Sequence, residues 1–192
     1  MIGQRLLRLT GPCYQALTTA SVIGHEFDFN LLAELTGPDS EEDLLDLMDE
    51  AISARVIEDL PGTAVRYQSR HALVQQTLNE NISAGRRVRL HASIGEALEK
   101  ALGLNPGART AELAHHFTQA VSVLGNEQML HYTLLAGEHA LDSYAWEEAT
   151  EQFTRALSAK GVDPSGTAPA SGDGREVGML KGRGRGVQAR GR

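Results

Sequence analysis

Aromatic side chains make up only 5% of this 192-residue chain. A core of any size must therefore be built from Leu, Ala, Val and Ile, which favours helices over sandwiches or barrels. A single cysteine, Cys13, excludes an internal disulfide, and no charged-then-apolar leader opens the chain, so a reducing, cytoplasmic setting is expected. No apolar run approaches the roughly 20 residues that span a bilayer. The chain also lacks any Gly-Lys pair and hence any G-x-x-x-x-G-K-[ST] loop. Nothing in it can cradle a triphosphate on backbone amides with a lysine alongside, which argues against ATP hydrolysis by this chain and leaves no catalytic residue to assign.

Charge is unevenly distributed. Residues 1–160 carry 12 Lys+Arg against 22 Asp+Glu, or −10, whereas residues 161–192 carry 6 against 3, or +3. The final segment also has 9 of the 20 glycines and few large apolar groups. It is expected to be a disordered Gly/Arg-rich tail, because it cannot bury enough surface to offset its chain entropy. Its run GRGRG, residues 182–186, has the composition of segments that touch nucleic acid electrostatically, although glycine-rich ends are commonly inert.

In the body of the chain, Thr10 reads as an N-cap with Pro12 in the first turn, and Tyr14, Leu17, Ala20 and Ser21 follow at helical spacing to about residue 23. Asp28 is placed to cap a short helix carrying Phe29, Leu31, Leu32 and Leu35, ended by Gly37 and Pro38. Asp39 and Ser40 cap a third, with Leu44, Leu45, Met48, Ala51 and Ile52 as its apolar stripe and Glu41, Glu42, Asp43, Asp46, Asp49 and Glu50 facing away. Residues 56–69, VIEDLPGTAVRYQS, read as a hairpin turning at Pro61-Gly62, with Val65 and Tyr67 alternating against polar neighbours. Three helices followed by a β-hairpin is the plan of a winged helix. Helices are then expected at about 71–82, 85–103, 108–123, 127–143 and 146–159, with breaks at Asn105-Pro106-Gly107 and Gly125-Asn126. In the last pair, Gly137, Ala149, Phe153 and Ala156 fall at the spacing of a tetratricopeptide helix pair, while Thr133 and Ala140 stand where larger aromatics are usual. The expected architecture is mostly α: a winged-helix domain over 1–83, the start of a tetratricopeptide-like array over 84–160, and the tail over 161–192.

Four blocks in order, ASVIGHEF (20–27), YQSRHALVQQTL (67–78), RRVRLHASIGEALE (86–99) and ELAHHF (112–117), resemble bacterial multidomain signalling ATPases of the STAND type. In that family of transcriptional and other regulators, an AAA-like nucleotide-binding core precedes a winged helix and tetratricopeptide-like repeats. The resemblance implies a non-catalytic regulatory segment that couples the ADP/ATP state of an upstream domain of the same parent to a repeat array sensing a protein or small-molecule effector. It also implies that a histidine just after the wing reaches the β-phosphate of bound ADP and holds the resting state. His71 is the residue that matches, with Arg70 beside it; Ala72 and Ser69 depart from the pattern. A helix N-terminus welcomes an anion, so the contact is chemically sound. A histidine that only packs or caps the helix start remains the other reading.

Arg66, Arg70, Arg86, Arg87 and Arg89 face a single acidic residue, Glu80, between positions 66 and 91. They suit contact with an anion or an acidic partner domain, or are solvated on exposed turns. Glu112, His115 and His116, with His131 and His139 on the next helix, have some of the makings of a metal site. The rhythm of Leu113, Ala114 and Phe117 points instead to packing histidines, so no metal is expected. Cys13 has no evident base and is not expected to be a nucleophile. Two other functions stay open: a helical-repeat scaffold with no nucleotide role, and a winged-helix DNA binder. The second is disfavoured by the six carboxylates of the third helix, the one that would enter the groove.

Overall fold

The computed structural model describes residues 5–37, 40–62, 64–103 and 106–162. The stops expected at Pro38 and Asn105, the cap at Asp39 and the tail beyond Val162 lie outside them. Among the described residues the chain is mostly helical, with one three-stranded antiparallel sheet.

Helix α1 (Gly11–Ile23) starts where its cap requires: the Thr10 hydroxyl accepts from the Cys13 amide, and Pro12 sits in the first turn. Thr10 is itself held by α3 (Glu41–Ser53), since its N–H and hydroxyl donate to the two oxygens of Glu50 at 2.6 and 2.8 Å. Ser40 caps α3 by accepting from the Asp43 amide at 3.1 Å. Leu44, Met48 and Ala51 bury the inner face of α3 against α1. Leu45, expected on that stripe, faces solvent.

Between α1 and α2 (Phe29–Thr36) runs a strand absent from the expected plan, β1 (Glu26–Asp28). Together with β2 (Ile57–Leu60) and β3 (Arg66–Ser69) it forms a sheet ordered β1-β3-β2. Phe27 lies opposite Tyr67, with ring centroids 5.7 Å apart, and Ile57 opposite Ser69. All four are buried, so the inward positions of β3 are Tyr67 and Ser69; Val65 precedes the strand and is exposed. Asp28 occupies the N-cap position of α2 without a capping bond, because its carboxylate is committed to two arginines described below.

The rest is helical: α4 (Ala72–Glu80), α5 (Ala84–Leu102), a 3-10 turn (Gly107–Arg109), α6 (Thr110–Gln119), α7 (Val121–Leu124), α8 (Glu127–Asp142) and α9 (Trp146–Ala159). The single helix expected over 108–123 is broken at Ala120, whose N–H is shared between the carbonyls of His116 and Phe117. Close packing in two helix pairs depends on glycine. A Cβ on Gly95 of α5 would meet the Phe117 ring of α6 at 3.0 Å, and one on Gly137 of α8 would meet the Phe153 ring of α9 at 2.7 Å. The two pairs are joined by Phe117 stacked on Tyr132, centroids 5.2 Å apart and planes 9° apart. Helix α5 also packs on α1 and α2, so the buried apolar side chains form one cluster running from Leu6 to Ala136. No described helix is long and apolar enough to cross a membrane.

Candidate functional site

The chain is pinned on both sides as it approaches His71. Ser69 donates its N–H to the His25 carbonyl at 2.9 Å, and Arg70 donates its own to the Val56 carbonyl at 3.1 Å. His71 is the N-cap of α4 in extended backbone; its carbonyl accepts from Val74, but its exposed ring makes no capping bond. Helix α4 is in turn tied to α1, because the Gln75 and Asn79 amides both donate to the Ser21 carbonyl, at 3.1 and 3.0 Å. The first turn of α4 carries no carboxylate. The result is a rigidly seated helix N-terminus presenting an imidazole to solvent, an arrangement that favours an anion.

The five arginines do not gather around it. Arg70 pairs with Glu58 at 3.1 Å on the exposed side of β2 and β3. Arg66 pairs with Glu26 at 2.9 Å and reaches Asp28 at 3.6 Å. Arg87 caps the far end of α4, donating to the carbonyls of Asn79 and Ile82 at 2.8 and 3.2 Å, where a helix C-terminus attracts a cation. Arg86 lies at a groove of about 320 Å³ lined also by Pro12, Leu35, Leu44 and Leu90. Arg86 and the exposed Arg89 have no carboxylate partner among the described residues. What reads in sequence as one positive island is thus divided between the two ends of a helix of nine residues, some ~13 Å long.

Two features at the junction of sheet and helical pairs carry no single-segment signal. The first is an ion-pair chain. Asp28 of β1 lies 3.6 Å from Arg66 of β3 and 3.3 Å from Arg109, which also makes a bidentate bond to Glu112 at 2.7 and 3.0 Å. Arg109 thereby links the sheet to the start of α6. The second is a histidine cluster between α5 and α6. His91 and His116 meet Nδ1 to Nδ1 at 2.9 Å, and the rings of His91, His115 and His116 lie with centroids 5.1–5.6 Å apart. One Nδ1 must carry a hydrogen and the other must accept it, so at least the accepting ring is neutral, and burial favours neutrality of both. Burial pushes His91 down to about 4, with His115 and Arg87 adding to it. Burial likewise pushes His116 to about 3, aided by His91 and His115, with the Ile23 carbonyl opposing.

Glu112 is engaged by Arg109 and turned to that bond, while His131 packs edge-on against Tyr132. Among the described residues no group of three His, Cys, Asp or Glu side chains is placed to hold a metal ion. Cys13 is fully buried, donates to the Leu47 carbonyl and has its thiol pushed up to about 12 by burial and by Glu50, which leaves no thiolate to attack anything.

Compared with protein-family models, with curated proteins and with solved structures, the chain matches none. Any functional reading therefore stands on the residues and geometry above.

Proposed function

We propose that this chain is a non-catalytic relay segment of a STAND-type signalling ATPase: it responds to a nucleotide held by an upstream domain and passes that state to a helical-repeat sensor. The observation that carries the reading is Asp28, whose one carboxylate engages Arg66 on the sheet and Arg109 at the head of α6. A displacement of the wing at β3, next to His71, is thereby communicated to the helical pairs. Three further features support it. The order helix, strand, helix, helix, strand, strand suits a winged helix, in which β2 and β3 would form the wing. The glycine-on-phenylalanine contacts in α5/α6 and α8/α9 suit tetratricopeptide-like pairs. His71 is exposed on a firmly held helix start, as a residue contacting a ligand bound elsewhere must be.

As a DNA reader the winged helix is a poor fit, because Glu41, Glu42, Asp43, Asp46 and Asp49 all lie on exposed positions of α3, which has no basic residue. In this reading His71 is the latch on the ADP β-phosphate, with Arg70 as a neighbouring cation and Arg66, Arg86, Arg87 and Arg89 outside the latch.

A charge-assisted hydrogen bond of this kind contributes roughly 1.5–3 kcal/mol, so His71→Ala in the full-length parent accelerates ADP release about 10- to 100-fold. Stopped-flow release of a fluorescent ADP analogue measures it. Release at the unaltered rate would favour a repeat scaffold with no nucleotide role.

A further inference from the structure

The loop between α8 and α9 exposes side chains that the relay does not use. Tyr144 is 78% and Trp146 60% exposed, two of the largest apolar surfaces given to solvent among the described residues. They are not loosely placed. Tyr144 and Ala145 donate to the carbonyls of Leu141 and Ala140 at 3.0 and 2.8 Å, and the two rings meet edge to face, centroids 6.0 Å apart at 76°. Tyr144 also sits at φ +60, the left-handed region where glycine is usual at a helix C-terminus. A residue other than glycine held in that conformation by defined hydrogen bonds, with a large ring turned to water, fits a site better than a plain turn.

The chemistry of the hollow specifies its ligand. An open surface hollow of about 400 Å³ is lined by Tyr144, Ala145, Trp146, Glu147 and Glu148. Neither glutamate pairs with a cation among the described residues. Aromatic faces beside two unpaired carboxylates attract a guanidinium, which stacks on the ring and donates to the acids. The acidic α3 has more carboxylates but no aromatic ring.

We propose that this site is occupied by the chain's own arginine–glycine run, residues 182–192, which carries Arg183, Arg185, Arg190 and Arg192 and no acidic residue. The distances suit it. Helix α9 has 14 residues, so its end lies some ~21 Å from Trp146. From Val162 to Arg183 the sequence runs 21 residue steps, a contour of up to about 70 Å, so Arg183 is within reach of Trp146. Because the run and the site belong to one chain, their association is intramolecular and needs no second copy. The run then covers the aromatic end of the last helical pair.

Trp146 is the one tryptophan of the protein, so its accessibility reports on the site directly. Acrylamide quenching is compared between the native full-length chain and a variant with Arg183, Arg185, Arg190 and Arg192 all replaced by Gln. The quenching constant is expected to rise about twofold in the variant, as expected for a ring uncovered by loss of cation–π contacts. It should rise to a similar level in the native chain at about 0.5 M salt, where exposed charges are screened, and in the Glu147→Gln/Glu148→Gln double variant. The native value is expected to be independent of protein concentration. Equal constants for the native and four-glutamine chains overturn the proposal, as does a native value that changes with concentration, which would place another copy's tail on the site.

Discussion

Replacing Phe117 with alanine lowers the free energy of unfolding by about 3–5 kcal/mol, the range for deleting a fully buried phenylalanine side chain. The ring is 1% exposed, sits on the space left open by Gly95 and is stacked on Tyr132. Its loss therefore removes contacts to both helical pairs at once. Against a usual total of roughly 5–15 kcal/mol, this is a large share. Urea denaturation followed by circular dichroism measures it as a fall in midpoint at constant slope. A loss below about 1 kcal/mol would mean that the site repacks, contrary to the geometry described.

Acid should weaken the fold through His91 and His116. Each has a folded-state pKa, about 4 and about 3, below the ordinary histidine value of 6.5. The unfolded chain thus binds protons more readily, and stability falls as pH falls. The contribution of this pair is complete above about pH 6.5 and is lost progressively down to the folded values. Within that window both groups act in the same direction, each making unfolding take up a proton and so steepening the loss of stability with falling pH. Carboxylates add their own slope at the acid end of that window, so the diagnostic comparison is with a His91→Leu/His116→Leu variant. Its stability should vary less steeply between pH 6.5 and 5, where carboxylates are still ionised. An identical slope in the two proteins would contradict the account of a neutral buried pair.

How much of this was legible from sequence follows from the range over which each feature is determined. Helices α1 and α9 were readable nearly to the residue, because Thr10, Pro12 and the Gly137/Phe153 spacing act locally. Strand β1 was not: three residues show no alternation, and its partner Arg66 lies 40 positions from Glu26. The same limit hid Asp28's role. Its position before Phe29 is that of a helix cap, and only the approach of Arg66 and Arg109 diverts its carboxylate. Val65 and Leu45 followed the local apolar rhythm, yet neither has a neighbouring element to cover it, so both are exposed. The histidine cluster needed α5 and α6 to be superposed, since His91 and His116 are 25 residues apart. For the candidate site, the strand-to-helix position of His71 could be read, whereas the commitments of the arginines could not.

The account rests on the sheet beside His71 and the helical pairs behaving as one body through Arg109. Native-state hydrogen exchange on an Arg109→Met variant tests this most directly, since it reads β3 and α6 separately in one experiment. The predicted result is that the Ser69 amide, bonded to His25, and the amides of α6 exchange faster together, by roughly fivefold for the loss of about 1 kcal/mol of partly screened ion pairing. Faster exchange confined to α6, with Ser69 unchanged, would show that the sheet does not sense the helical pairs and would contradict the proposed relay.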